Sequence, residues 1–204
     1  MKLNVSKIVQ IALLSALAVV FYYIPKFPLP FFPGMLKIQF SMLPTILGSF
    51  LLGPVGGILI VVIKFLFKVL STQSAGIGEI MDLLIGVSVV LVTSIIYHFN
   101  KNKKGAILAL ICGVVTWTLV GVLLNGVMAL PAYSKLYGID AIIGMMTMIP
   151  GVTKDNYIMK YLLYGCLPFN LLLSIVVSIV TFLVYNKLGS FFSKMDDKMN
   201  KKSQ

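Results

Sequence analysis

The stretch that decides the fold is AILALICGVVTWTLVGVLLNGVMAL, residues 106–130, which contains no charged side chain. A helix needs ~20 apolar residues to cross the ~30 Å hydrocarbon core of a bilayer. Apolar residues here occupy every face of the helix rather than one stripe, as expected for a membrane segment. Similar stretches cover residues 5–24, 55–70, 81–99 and 161–185, and 59% of all residues are hydrophobic. The sequence therefore predicts an all-α, polytopic membrane protein.

Glycine, proline and charged turns divide the chain into six predicted membrane helices. The pair Gly53-Pro54 ends a short second helix, and Pro131 is expected to end the fifth, because proline removes a helical hydrogen bond. An alternative with five helices treats Gly53-Pro54 as a kink. We predict a single bundle and a single membrane domain, 1–204, with a charged tail at 189–204. The predicted helices cover residues 5–24, 41–52, 55–70, 79–99, 105–130 and 161–188.

Lysine placement predicts the orientation of the bundle. Six crossings put both termini on one side, where ten of the 17 lysines lie. The opposite side carries six lysines and four of the six acidic residues. The positive-inside rule therefore predicts a plasma-membrane protein with both termini in the cytoplasm. The segment IPKFPLPFFPG, residues 24–34, then faces outside, where we interpret it as a lid over the bundle. The alternative is an interfacial aromatic belt.

The sequence shows none of the motifs of nucleotide binding or catalysis. It lacks G-x-x-x-x-G-K-[ST], H-E-x-x-H and G-x-S-x-G, and Cys112 and Cys166 have no metal-ligand spacing. The net charge of +11 comes from lysines that flank apolar spans, which indicates anchoring in the lipid bilayer rather than nucleic-acid binding. We therefore expect no enzyme activity, no metal site, no cofactor and no nucleic-acid partner.

Polar residues inside the apolar stretches are the candidates for ligand binding. Asn125 and Asn170 lie at similar depth, and their amides suit a planar heteroaromatic ligand with mixed donor and acceptor edges. Each could instead bond to a neighbouring helix. Lys64 is a charge in mid-helix and is predicted to face inward. Glu79, one turn before Asp82, could complement the helix dipole or contact ligand hydroxyls.

The first helix carries small residues one turn apart, Ala12 and Ala16. Small side chains let two membrane helices approach closely where lipid provides no hydrophobic drive for association. This stripe is therefore a surface on which another membrane helix can pack closely.

Five short motifs, in this order and spacing, resemble the riboflavin-specific substrate-binding (S) components of energy-coupling factor (ECF) transporters over nearly the whole chain. They are LKIQFS at 36–41, LGPVGG at 52–57, GIGE at 76–79, Asn125 with LPAY at 130–133, and LYGCLPFNL at 163–171.

The resemblance implies a six-helix bundle that captures a vitamin from outside. It implies a shared transmembrane coupling subunit, driven by two ATPase subunits, that docks on Ala12 and Ala16. It further implies that Asn125 and Asn170 contact a flavin ring, with riboflavin as transported ligand rather than cofactor. The other candidate ligand contacts, most of them in the matching motifs, are Glu79, Gly78, Lys37, Phe40, Lys64, Tyr133 and Tyr164.

The chain departs from the family pattern at four positions. Gln39 stands where the family usually has Asp, and Leu173 where it has Lys; Phe65 and Lys68 replace a polar Asn and His. Another aromatic vitamin is therefore an alternative ligand. Two further alternatives are a stand-alone proton-coupled secondary transporter, with Lys64 and Glu79 as titrating groups, and a purely structural assembly subunit.

Overall fold

The computed structural model describes residues 5–24, 31–34, 36–72 and 74–201, with side chains described as far as residue 187. The helices within these residues are α1 (Val5–Tyr23), α2 (Met42–Val69), α3 (Ile77–Phe99), α4 (Lys103–Leu124), α5 (Leu130–Tyr137), α6 (Ile139–Gly144), α7 (Tyr157–Lys160) and α8 (Leu167–Lys201). Two π-helical turns, Asn125–Ala129 and Tyr161–Cys166, join α4 to α5 and α7 to α8.

Five helical segments of the described chain are long and apolar enough to cross a membrane. α1 packs on α2, α2 on α3 and α8, α3 on α4, and α4 on α8, which closes the bundle. The predicted all-α membrane fold is confirmed. The five helical segments that are long and apolar enough to cross a membrane are Val5–Tyr23, Met42–Val69, Ile77–Phe99, Lys103–Tyr137 and Tyr157–Lys187.

The segment α2 is a hairpin of two helical arms. Gly53 has φ 77° and ψ −173°, in a region that glycine adopts without a Cβ clash, and Pro54 follows it. Lys64 Nζ lies 3.4 Å from Met42 Sδ although the two residues are 22 positions apart. An unbroken helix would separate them by roughly 33 Å. The chain therefore reverses at Gly53, so the predicted division into two helices is right and the kink alternative is wrong.

The prediction that the fifth helix ends at Pro131 is wrong. The helix runs from α4 through the turn Asn125–Ala129 into α5, and it ends at Gly138, where φ is 84°. The N–H group of Leu130 bonds to the carbonyl of Asn125, five residues earlier. The wider π-helical turn accommodates the proline that follows it, so the chain stays helical.

The segment between the fifth and sixth predicted helices, and the predicted charged tail as far as Lys201, are both more helical than expected. The segment between the two predicted helices contains the end of α5 and the whole of α6 and α7. Ile142 of α6 and the nearby Met146 are 1% exposed and belong to the main hydrophobic core, so this connection covers one end of the bundle, which we call the α6 end. The backbone of α8 continues as helix through Lys201.

The described part of the predicted lid packs against the start of α8. The rings of Phe32 and Phe169 meet edge to face, with centroids 5.4 Å apart. Pro33 is buried and lies so close to Gly165 that a Cβ on that glycine would be 3.0 Å from its ring. Residues 25–30, the rest of that prediction, lie outside the described residues.

Candidate ligand-binding site

A two-chambered cavity lies at the α6 end of the bundle. The inner chamber has a volume of about 170 Å³ and the outer chamber about 600 Å³. Lys37, Gln39, Gly78 and Tyr133 line both chambers, so the two adjoin each other. The combined space falls within the range of small-molecule sites.

The two predicted asparagines line the same inner chamber, from different helices. Asn125 is 9% exposed and Asn170 is 7% exposed. Each side-chain nitrogen donates to a backbone carbonyl one turn earlier, at 2.8 Å: Asn125 to Gly121 and Asn170 to Cys166. A Cβ on Gly121 would lie 2.8 Å from the side-chain oxygen of Asn170, so glycine here leaves the Asn170 amide room for its present orientation between α4 and α8.

The amides keep hydrogen-bonding capacity for a ligand. Each amide nitrogen has two hydrogens and each oxygen two lone pairs. Asn125 uses one of each, because its oxygen also accepts a bond from the Tyr161 hydroxyl at 3.0 Å. Asn170 directs its nitrogen towards Cys166 and retains its oxygen as an acceptor. Together they can pair with a ligand edge that carries both donors and acceptors.

The π-helical turns place the polar groups of the inner chamber. Asn125 is the first residue of one turn and Tyr161 is the first residue of the other. Such turns are rare and are often found at functional sites, because they redirect side chains within a continuous helix. Sequence reasoning did not find them. Pro131 and Pro168, which follow the two turns, are the only signal that could have indicated them.

Aromatic walls surround the asparagines. Trp117, Tyr161 and Phe169 line the inner chamber and are each less than 5% exposed. Their flat faces suit a planar ring system, which they can contact by offset or edge-to-face packing. Sequence reasoning missed these residues, because an aromatic residue in an apolar membrane helix has the same pattern as a core or lipid-facing residue.

A buried ion-pair cluster lies beside the cavity. Lys64 is 0% exposed, and its Nζ lies 2.8 Å from Asp82 Oδ2; Lys68 Nζ lies 2.9 Å from the same oxygen. Gln39 donates to Asp82 Oδ1 at 3.3 Å, and Lys68 also sits 4.4 Å from the centroid of the Tyr22 ring. Asp82 lines the inner chamber and Lys68 the outer one, whereas Lys64 lines neither.

Glu79 and Gly78 sit at the start of α3, at the wall of the outer chamber. Glu79 is 4% exposed and accepts hydrogen bonds from Thr72 at 3.0 Å and Ser74 at 2.6 Å. A Cβ on Gly78 would crowd Ser74, whose hydroxyl oxygen would lie 2.9 Å away. Gly78 therefore permits the close approach of Ser74 at the boundary of the two chambers.

Three of the candidate contacts do not line the cavity. Lys64 is buried behind Asp82, Phe40 is 37% exposed and Tyr164 is 66% exposed, and none of them lines a chamber. The inner chamber is also bounded by Leu173, an apolar residue. The structure thus brings together at the cavity the predicted residues Asn125, Asn170, Glu79, Gly78, Lys37 and Tyr133.

The predicted docking residues lie on the outer face of α1. Ala12 and Ala16 are exposed, whereas Leu14 and Ala18 pack inward against α2. The outward face is apolar as well as small, since Leu13 is 47% exposed. This surface is accessible to a second membrane protein.

Comparison with known proteins shows a family match over nearly the whole chain. The family model described as "ECF transporter, substrate-specific component" matches residues 6–185. The riboflavin transporter RibU of Staphylococcus aureus (strain TCH60) is 32% identical, over 95% of this chain and 97% of that protein. The riboflavin transporter FmnP of Bacillus subtilis (strain 168) is 29% identical, over 91% and 93% respectively.

A solved structure agrees with these sequence matches. An S component of a bacterial ECF transporter superposes with a TM-score of 0.70 at 32% identity, covering 91% of this chain and 96% of that one. The family consists of transporter components located in the membrane, not enzymes, and it implies no cofactor. It also implies association with an ECF transporter module. The chain, a multi-pass membrane protein, belongs to the family of substrate-specific components of ECF transporters.

Proposed function

We propose that this chain is the subunit that binds riboflavin, or a close flavin, for an ATP-driven uptake transporter. The observation that carries the proposal is the placement of Asn125 and Asn170 on different helices of one aromatic-walled chamber. The relatives described above, both riboflavin transporters, support the same ligand.

The chemistry of a flavin matches the two chambers. The pyrimidine edge of its ring alternates carbonyl groups with ring nitrogens, which the two asparagine amides can pair. The apolar part of the ring can pack against Trp117 and Phe169, which line the inner chamber. Burying this ring edge unpaired would cost about 1–3 kcal/mol for each polar group, so the amides contribute both affinity and selectivity.

The outer chamber suits the polyhydroxylated tail of the ligand. Glu79, Lys37 and Tyr133 line it and offer a carboxylate, an ammonium group and a phenol to hydroxyl groups. Gly78 lies at the boundary of the two chambers, and Lys64 acts on the site through Asp82. Contacts from Phe40 and Tyr164 stay predictions, since these residues lie outside the lining.

The transport step requires partners and an orientation. In this proposal the α6 end faces outside and both termini lie in the cytoplasm, as the positive-inside rule predicts. The chain acts as one membrane domain, 1–204. A transmembrane coupling subunit docks on the face of α1 that presents Ala12 and Ala16, and two ATPase subunits drive the complex.

A thermal-shift screen of the purified protein tests the ligand. A ligand that binds only the native state stabilises it by about 2.7 kcal/mol at a concentration of 100 Kd. We expect riboflavin to raise the unfolding temperature, with thiamin, pantothenate, folate and biotin as controls. A shift with one of these vitamins and none with riboflavin would contradict the proposal.

A further inference from the structure

An apolar groove runs along the outside of the bundle between α4 and α8. Its volume is about 480 Å³, and its lining comes from residues 107–115 and 175–183. Leu110 and Ser178 form the floor, since they are 5% and 9% exposed, whereas Ile111 and Ile179 form the rims at 57% and 56%. The groove therefore opens towards the surrounding lipid, and it shares no described lining residue with the two chambers of the cavity.

The groove is about as long as one leaflet of a bilayer is thick. Residues 107–115 of α4 span roughly 12 Å of helix, and half of the hydrocarbon core is roughly 15 Å. The groove begins one turn after Lys103, the first residue of α4, so it lies in the half of the bundle farther from the α6 end. One extended acyl chain of that leaflet can therefore lie along it.

Lysines stand at the end of the groove that points away from the α6 end. Lys103 and Lys104 precede Ile107 by about one turn of α4, and Lys187 follows Leu183 by one turn of α8. Residues three or four positions apart lie on the same face of a helix, so both helices carry positive charge in line with the groove. All three lysines are exposed. The groove is thus apolar along its length and basic at one end.

The acidic side chains that the structure describes lie at the opposite end of the bundle, the α6 end. Neither Lys103 nor Lys104 forms an ion pair with any of them. Residues 188–204 add four lysines and two aspartates to the basic end, so its charge stays positive. In the proposed orientation this end meets the cytoplasmic leaflet, whose anionic lipids attract basic segments. The four acidic residues are Glu79, Asp82, Asp140 and Asp155.

The rims of the groove suit a flexible lipid chain better than a protein helix. Two membrane helices approach closely where their residues are small, whereas Ile111, Val115 and Ile179 are bulky and exposed. A second copy related by a twofold axis along the membrane normal would place the two basic ends side by side, and like charges repel. An anionic headgroup at this end would instead meet opposite charge.

We infer that the groove between α4 and α8 binds an anionic phospholipid. One acyl chain lies along the floor, and the headgroup phosphate accepts charge-assisted hydrogen bonds from Lys103, Lys104 and Lys187. The lipid contacts both helices and so stabilises their packing. The inference concerns the outer surface and holds whichever vitamin the cavity binds; only the choice of leaflet rests on the proposed orientation.

Lipid titration of the purified full-length protein in a non-ionic detergent tests this inference. The probes are phosphatidylglycerol and phosphatidylcholine with identical acyl chains, so that only the headgroup differs. We expect phosphatidylglycerol to raise the unfolding temperature at a concentration about tenfold lower than phosphatidylcholine does, because the lysines attract the anionic headgroup and a lipid bound to the native state stabilises it. Higher salt should reduce this difference, since the lysines are exposed to solvent ions.

Two kinds of variant locate the headgroup and the acyl chain. Lys104→Gln removes one charge from the basic end and should weaken phosphatidylglycerol binding about fivefold, while Lys104→Arg should keep it. Lys135→Gln is the matched control, because Lys135 is an exposed lysine in the last turn of α5, near the α6 end. Ser178→Leu fills the floor of the groove and should weaken binding of both lipids. If Ser178→Leu fails to fold, Ile179→Trp covers the groove from its exposed rim.

The contrary outcomes are distinct. Equal affinity for the two lipids, or equal effects of Lys104→Gln and Lys135→Gln, would overturn the inference, because the basic end would not select the headgroup. Unchanged phosphatidylglycerol binding in Ser178→Leu and Ile179→Trp would place the lipid elsewhere. A dimer that Ile179→Trp dissociates, or a coupling subunit that this variant fails to co-purify, would assign the groove to a protein instead. These residues line neither chamber, so riboflavin binding in the same samples tests the proposed function separately.

Discussion

The hydroxyl group of Tyr161 donates a hydrogen bond of 3.0 Å to the side-chain oxygen of Asn125. This bond joins the first residues of the two π-helical turns, and both residues are buried in the wall of the inner chamber. It therefore fixes the direction in which the Asn125 amide faces a ligand.

Tyr161→Phe removes only this hydroxyl group. We expect riboflavin affinity to fall by about 1 kcal/mol, roughly fivefold, because the Asn125 amide loses its orienting partner. Fluorescence titration of the purified variant measures the change. Tyr185→Phe is the matched control, since the Tyr185 hydroxyl also forms a hydrogen bond, at 2.6 Å with that of Tyr97, and Tyr185 lines neither chamber. A larger loss in Tyr185→Phe than in Tyr161→Phe would contradict this account of the site.

Gly121→Ala should damage the site through packing. The added Cβ would lie 2.8 Å from the side-chain oxygen of Asn170, so α4 and α8 must separate or the amide must turn. Overpacking of this kind costs about 1–3 kcal/mol. We expect a lower unfolding temperature and weaker flavin binding. Gly144→Ala is the control, because a Cβ there meets no atom within 4 Å. Unchanged binding in Gly121→Ala would show that the amide does not need its present position.

The single tryptophan of the chain, Trp117, lines the inner chamber and provides a direct reporter of occupancy. A flavin bound within this chamber would contact the indole ring and quench its emission. We expect tryptophan fluorescence to decrease with the same midpoint as the flavin signal in a riboflavin titration. Saturation of the flavin signal with no change in tryptophan emission would place the ligand elsewhere.

Asp82→Asn should lower the free energy of unfolding more than the removal of an exposed charged side chain does. It leaves the ammonium groups of Lys64 and Lys68 buried without a counter-charge, at a cost of about 3–5 kcal/mol. Thermal unfolding in detergent measures the loss. Asp140→Asn breaks the exposed pair with Lys154, which should cost less than about 1 kcal/mol. Similar unfolding temperatures for the two variants would contradict a buried ion-pair role for Asp82.

Local sequence signals predicted the membrane segments, and they singled out two asparagines that the structure places in one chamber, because each signal depends on the residues themselves. The reversal of α2 follows from Gly53 and Pro54, which are adjacent in the chain. Asn125 and Asn170 were found because an amide in an apolar helix requires a partner wherever that helix packs.

The rest of the site depends on contacts between distant segments. Asp82 pairs with two lysines from the second arm of α2, which no spacing within α3 indicates. The π-helical turn at Tyr161–Cys166 adds a residue to one turn and so changes the face that later residues occupy. The motif at residues 163–171 singled out Tyr164 as a ligand contact, whereas the structure places Tyr161 in the wall of the chamber.

Ala12→Trp and Ala16→Trp should separate binding from transport. Both alanines are exposed on α1, and a bulky ring there prevents the close approach that small residues allow between membrane helices. We expect loss of riboflavin uptake in cells that express the coupling subunit and ATPases, with flavin affinity of the isolated protein unchanged. Asn125→Ala should show the opposite pattern, a loss of about 1–3 kcal/mol in binding with the complex still assembled.

The control for these variants is Val115→Trp on α4. Val115 is 52% exposed and borders an apolar groove between α4 and α8, so the same bulky residue is placed on a different outer surface. Co-purification of the subunits then distinguishes loss of docking from loss of expression. Normal uptake in Ala12→Trp and Ala16→Trp would show that α1 is not the docking face. Loss of uptake in Val115→Trp alone would move that face to α4 and α8.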